Sequence, residues 1–254
     1  MAQQNNLEVC GGFFGPNSNP ALTLLDISDA RQAEKIIAEA GPDVIIHAAA
    51  VAHGPESENE KLLQKVNVQG TKNVATAAQK AGAGLVFLSS ISALHNMPYG
   101  KSKLEGEQFV KQAGVKCLII RPSVIVGLSP NQQSDLTYNK ILEAVRTGGS
   151  VREDADWKFQ PTWITHVCEI IQAWLEGKFQ DTEPIYPIVP EMKTRFEISN
   201  DILRHFGLKA AAVHNPRYES SPVLTTDSLS KNNLPVYNYS QILERLVEEI
   251  KGLV

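Results

Sequence analysis

The sequence predicts a doubly wound parallel α/β sheet followed by a small C-terminal lobe, and three observations predict it. Short apolar runs alternate with amphipathic stretches between residues 21 and 127. Two of those runs, PDVIIHAAA and AGLVFLSS, are apolar nearly throughout, as strands are when helices cover both faces of a parallel sheet. Asp, Gly and Pro punctuate the amphipathic stretches where helix starts and stops belong.

Taken in order, ALTLLDIS (21–28) reads as a short strand ending at Asp26. DARQAEKIIAEAG (29–41) reads as a helix capped by Asp29 and stopped at Gly41-Pro42. PDVIIHAAA (42–50) is the next strand, and the stretch from Ser57 to Gly82 a long helix. AGLVFLSS (83–90) is a strand, YGKSKLEGEQFVKQAG (99–114) a helix and VKCLIIRPSVIVG (115–127) a strand. The handedness of such crossovers sends the strand C-termini to one edge, where ligands bind. His47 to Ala50, Ser89 to Ser92 and Arg121 to Gly127 lie at those ends.

Beyond about residue 130 the pattern loosens, which divides the chain into a nucleotide-binding domain (1–130) and a mainly substrate-binding lobe (131–254). One helix is expected within 129–149 and another within 161–178. TEPIYPIVP is a Pro-rich extended piece, and later helices cover 198–208 and 239–253. Trp157, Trp163 and Trp174 are expected to pack this lobe.

Composition narrows the function classes. Of 254 residues 43% are hydrophobic and 20% charged, as in ordinary globular proteins, and a net charge of -4 leaves no footprint for nucleic acid. Cys10, Cys117 and Cys168 are odd in number and far apart, which fits a reduced cytoplasmic compartment. No apolar run is long enough for a bilayer, and MAQQNNLEV lacks the blocks of a signal peptide. His47, His53, His95, His166, His205 and His214 show no ligand spacing, so no metal is expected and all six read as structural or surface residues.

Chemistry concentrates in PYGKSK (98–103). With a helix starting near Pro98, Tyr99 and Lys103 fall one turn apart on one face, which Lys101 does not share. A phenol titrates near 10 unless something stabilises its phenolate, and an ammonium does so. The pair therefore reads either as an acid/base device or as an exposed helix start.

LLDISD (24–29), HAAA (47–50) with VNVQGT (66–71), LSSIS (88–92) and PYGKSK followed by IIRPSVIVG occur in that order. In order and spacing they resemble the extended short-chain dehydrogenase/reductase family, most closely its sugar-nucleotide reductase and epimerase branch, which includes the dTDP-4-dehydrorhamnose reductases. The resemblance covers residues 21 to 130 and extends more weakly through FQPTWITHVCEII (159–171) and the segment 224–250. It implies a Rossmann-like sheet, NAD or NADP as cofactor, a nucleotide sugar or similar small molecule as substrate, and a homodimer. Tyr99 would be the general acid/base, and Lys103 would lower its pKa and bond the nicotinamide ribose. Ser90, with Ser92 as the alternative, would hold the reacting oxygen, and Asn67 would help to position the lysine. Asp26 and Ile27 would lie beside the adenine, and Ala48, Ala49 and Ala50 would let the chain pass close to the dinucleotide.

Four departures temper what the resemblance implies. The family opens with a strand and a glycine-rich turn whose helix N-terminus holds pyrophosphate. CGGFFGPNSNP (10–20) does not fit that turn, because Pro16 and Pro20 with Asn and Ser between them forbid the following helix. LEVCGG aligns better with the family's second strand, so the chain is expected to be shortened at its N-terminus and to lack the first strand. The link ISALHNMP is short, Val126 stands where a tyrosine is common, and GGFF offers no residue that selects NAD over NADP. A second reading follows: a non-catalytic nucleotide-binding or regulatory subunit on the same scaffold, or a truncated inactive form. The family's regulatory subunit of methionine adenosyltransferase, which QQNNLEV and FQPTWITHV resemble, is such a case.

Overall fold

The computed structural model describes residues 7–15, 19–52, 55–128, 137–180, 183–215 and 220–254. Pro16 and His53 from the readings above lie outside them, as does the expected boundary after residue 130. The chain forms two compact units: Met1–Arg121 with Ile171–Ile185, and Pro122–Ile170 with Tyr186–Val254. The first is a Rossmann-like α/β unit with parallel sheets.

In the first unit, β1 (Gly11–Phe13) pairs in parallel with β2 (Leu22–Leu24). Helix α1 (Ala30–Ala40) starts where the sequence places it: the Asp29 carboxylate accepts from the Arg31 and Gln32 amides at 2.9 and 3.1 Å. Gly41 ends it in the left-handed conformation that glycine adopts without penalty. Strand β3 (Val44–His47) follows. Helix α2 (Glu60–Leu63) then runs into a π-helical segment (Gln64–Gly70) and α3 (Thr71–Ala81). The long helix expected from Ser57 thus begins at Glu60, because Asn59 caps the Leu62 amide, and Pro55–Glu58 forms a separate 3-10 turn.

Strand β4 (Gly84–Leu88), helix α4 (Pro98–Gln112) and strand β5 (Cys117–Ile120) complete the alternation. The sheet runs β3-β4-β5, all parallel, with His47 opposite Phe87 and Leu88 opposite Ile120. Ile185 bridges to Ile120 beyond β5, accepting from the Arg121 amide at 2.8 Å. The β1-β2 pair forms a sheet of its own, so among the described residues β3 pairs on one edge only, and Ile46 in that strand is 49% exposed. Ile27, Ile37, Val74, Leu85, Phe87, Val110 and Ile119 form the core. Each contributes roughly 1.5–3 kcal/mol of burial.

The strand expected over 115–127 is two strands. Arg121-Pro122 interrupts it, since proline brings no N–H to the ladder. Strand β6 (Ile125–Val126) belongs to the second unit, which continues with α5 (Thr137–Thr147) and β7 (Arg152–Asp154). Strand β8 (Thr162–Trp163) pairs in parallel with β6 and leads into α6 (Ile164–Leu175), whose last turn lies in the first unit. Trp174 therefore packs beneath Gly84 of the parallel sheet, a correction to its expected place in the lobe. The second unit closes with α7 (Arg195–Arg204), β9 (Ala211–Val213), α8 (Asp227–Ser230) and α9 (Tyr239–Lys251). Capping boxes Thr194/Glu197 and Asn238/Gln241 start α7 and α9, each cap contributing about 1 kcal/mol. Trp163, Phe159, Ile198, Ile242 and Leu246 belong to its core. Among the described residues no helix is long and apolar enough to cross a membrane.

Candidate active site at the carboxyl ends of the parallel strands

Strand β4 delivers Ser89 and Ser90 at its end. Ser90 is extended and caps the 3-10 turn Ile91–Leu94, its hydroxyl accepting from the Ser92 amide at 3.1 Å. That turn brings the chain back to α4, which opens at Pro98, a residue suited to a first helical turn because its missing N–H has no partner there. Gly100 makes the close approach feasible. A Cβ at this position would lie 2.0 Å from the Ser92 carbonyl oxygen, so no larger residue fits without moving the turn.

The Ser90 side chain is the polar group that acts on the Tyr99 phenol. Burial raises the Tyr99 pKa, and Ser90 acts against that shift. The expected lowering of the phenol by Lys103 is not what the geometry gives. The Lys103 ammonium instead lies 4.3 Å from the Phe87 ring centroid, 2% exposed, and pairs with no carboxylate among the described residues. Burial pushes its pKa down to about 7, with Glu107 acting in the opposite direction. Ser92 meets α4 through its backbone carbonyl, while Ser90 is the serine that acts on the phenol.

Asn67 sits within the π-helical segment, buried. Its side chain accepts from the Val51 amide at 2.8 Å and donates to the Val51 carbonyl and the Ser102 hydroxyl, both at 3.0 Å. Ser102 in turn donates to the Tyr99 carbonyl at 2.7 Å. The asparagine thus ties the segment after β3 to the turn of α4 that carries Tyr99, rather than bonding Lys103.

The other expected residues separate. Ala48 and Ala49 are exposed and Ala50 half-buried just past β3, leaving accessible backbone. The Asp26 carboxylate accepts from the Ser28 amide and hydroxyl at 2.9 and 2.6 Å, and chiefly the hydroxyl bond lowers its pKa. The Ile27 side chain is core: it fills the space above Gly70, and its carbonyl accepts from Asn73 at 2.9 Å. Gly11 and Gly12 are ladder residues of β1, and no helix lies between β1 and β2 among the described residues.

Several residues near Lys103 carry interactions that the sequence alone does not assign: His47, Ser89 and Arg121 are placed at strand ends without a role, and Glu107 is not singled out. His47, read above as structural or surface, is buried, stacked on Phe87 at 5.2 Å and hydrogen-bonded to Thr71 at 2.9 Å. Burial, with Lys103 nearby, pushes its pKa down to about 3, so it is neutral near pH 7. Glu107 and Arg121 form a buried two-bond pair, Nε to Oε1 at 2.8 Å and Nη2 to Oε2 at 2.7 Å, and Ser89 donates to the same Oε1. The signal available was the glutamate four residues after Lys103, together with an arginine ending an apolar strand.

Comparison with known proteins supplies the remaining context. The family model described as the NAD dependent epimerase/dehydratase family matches residues 3–157, and that of the RmlD substrate binding domain matches 96–241. Methionine adenosyltransferase 2 subunit beta of Pongo abelii is 25% identical over 243 residues, 87% of this chain and 71% of that protein. Among solved structures, dTDP-4-dehydrorhamnose reductase from Bacillus anthracis, in complex with NADP, superposes with a TM-score of 0.73 at 24% identity, covering 89% of this chain and 87% of the other. The UDP-glucose 4-epimerase of Thermus thermophilus, in complex with NAD, gives 0.74 at 18% identity, covering 94% and 87%. These two likenesses establish the fold.

Proposed function

The chain belongs to the NAD dependent epimerase/dehydratase family, and from that premise we propose that it is a cytoplasmic NAD(P)-dependent oxidoreductase or epimerase acting on a sugar nucleotide or a similar carbonyl/hydroxyl substrate. The observation that carries this reading is Ser90 at the end of β4 acting on the Tyr99 phenol, with Lys103 one turn further along the same helix.

The residues present fit the nicotinamide end of the cofactor. Among the described residues Lys103 has N–H donors uncommitted to any carboxylate and suited to a ribose hydroxyl, and Ala48 to Ala50 offer backbone without bulk. Nothing comparable serves a pyrophosphate between β1 and β2, where the described residues form no helix. When bound, the dinucleotide supplies the hydride acceptor or donor. Tyr99, holding its proton because it is buried, delivers it to the substrate carbonyl oxygen in the reducing direction and takes it back in the oxidising one. Ser90 holds that oxygen beside the phenol, and the Asn67–Ser102 bonds keep the helix turn in place.

A direct test follows reduced nicotinamide absorbance with a panel of nucleotide sugars. Tyr99→Phe is expected to abolish turnover while leaving the circular dichroism melt unchanged; turnover retained in that variant removes Tyr99 from the mechanism.

A second reading has its own support: a non-catalytic subunit on the same fold. The alignment with methionine adenosyltransferase 2 subunit beta spans 87% of the chain and 71% of that protein. Absence of turnover across the panel, with a changed methionine adenosyltransferase rate when this chain is added to that enzyme's catalytic subunit, favours this alternative.

A further inference from the structure

The buried ion pair beside the lysine has a part that neither the family match nor the acid/base reading assigns. Lys103 and Glu107 are four residues apart on α4, so they share a face, and an unrestrained pair at this spacing forms a salt bridge. Here the carboxylate is taken elsewhere. Arg121 occupies both of its oxygens and Ser89 bonds one of them, while Lys103 rests over the Phe87 ring. Glu107 is 3% exposed and Arg121 8%, so the pair is sheltered from screening water.

We propose that Glu107, Arg121 and Ser89 are positioning residues for Lys103: the guanidinium and hydroxyl hold the carboxylate off the ammonium, so that Lys103 keeps its N–H donors for a ligand while remaining near one negative charge. Among the described residues, His47 and Glu107 act on or with Lys103 electrostatically. His47 from β3 is neutral near pH 7, and Glu107, one turn along α4, is paired with Arg121 after β5. The identity of that ligand rests on the proposed function, but the arrangement exists without it and is measurable without it.

The two charges make opposite demands, which separates positioning from mere packing. Glu107→Gln removes the negative charge nearest Lys103 on its own helix, so Lys103 should lose its proton more readily. Arg121→Gln releases the carboxylate to bond Lys103, so the ammonium should hold its proton more firmly. The experiment is a pH titration of ε-13C-labelled lysine by NMR on the full chain, with the Lys103 signal assigned by its loss in Lys103→Met. Glu107→Gln is expected to lower the Lys103 midpoint and Arg121→Gln to raise it, each on the order of one pH unit. Movement in the same direction in both variants, or in neither, overturns the proposal. Should either charge variant fail to fold, Ser89→Ala removes one hydrogen bond from Glu107 without stranding a charge, and a smaller upward shift is expected. A Lys103 midpoint unmoved in Ser89→Ala then overturns it. Absence of cofactor binding or turnover would defeat the proposed function and leave these shifts unchanged.

Discussion

Burial is the dominant force on Tyr99, Lys103 and His47. It raises Tyr99, draws Lys103 down to about 7 and draws His47 down to about 3. In the second unit it draws His166 down to about 4. For the two histidines the linkage has a definite sign. Their folded values lie below the ordinary 6.5, so between those limits the unfolded chain binds more protons than the folded one. Stability is therefore expected to fall as pH drops below about 6.5, and to go on falling towards pH 4, with no contribution from either histidine above that window. Thermal melts across this range check it, and the slope should flatten when His47 and His166 are both replaced by Gln. An identical slope in that double variant contradicts the assignment. Of these residues Tyr99 and Lys103 were legible in the sequence, because their spacing alone puts them on one helix face. His47 was not, because a histidine at a strand end gives no periodic sign of whether its ring meets solvent or, as here, Phe87.

The π-helical segment Gln64–Gly70 decides how two elements meet. Its wider turn is an uncommon conformation found often at functional sites, and it carries Asn67, whose side chain bridges to Val51 and Ser102. Replacing Asn67 by Ala leaves the Val51 amide and carbonyl and the Ser102 hydroxyl without this partner. A destabilisation of about 1–3 kcal/mol is expected from chemical denaturation, together with faster amide exchange at Val51 and in the first turns of α4. Unaltered exchange at both places would separate Asn67 from the positioning of Tyr99. Helix starts and stops were readable in the sequence wherever a cap was local, as at Asp29 and Gly41. The π register was not, because it follows from the packing of the segment rather than from any residue's own preference. The break at Arg121-Pro122 was available in principle, since the proline stood in plain view within an apolar run.

At the scale of the molecule, alternating apolar and amphipathic stretches were enough to give the parallel sheet, because each strand and helix buries one continuous surface. The second unit was less legible. Its strands β7 and β9 are three residues long, too short for a period of two to register, and residues 171–185 return to the first unit after a passage through the second. The central claim is that Ser90, Tyr99 and Lys103 form a nicotinamide nucleotide site at the ends of β3 and β4. The most direct test is calorimetric titration of NADH and NADPH into the 254-residue chain and into Lys103→Met, each shown by circular dichroism to melt cooperatively. The expected result is saturable binding of one of the two nucleotides, weakened at least about tenfold in Lys103→Met through loss of the ammonium donors. A folded chain that binds neither nucleotide, or that binds equally well without Lys103, would contradict the claim.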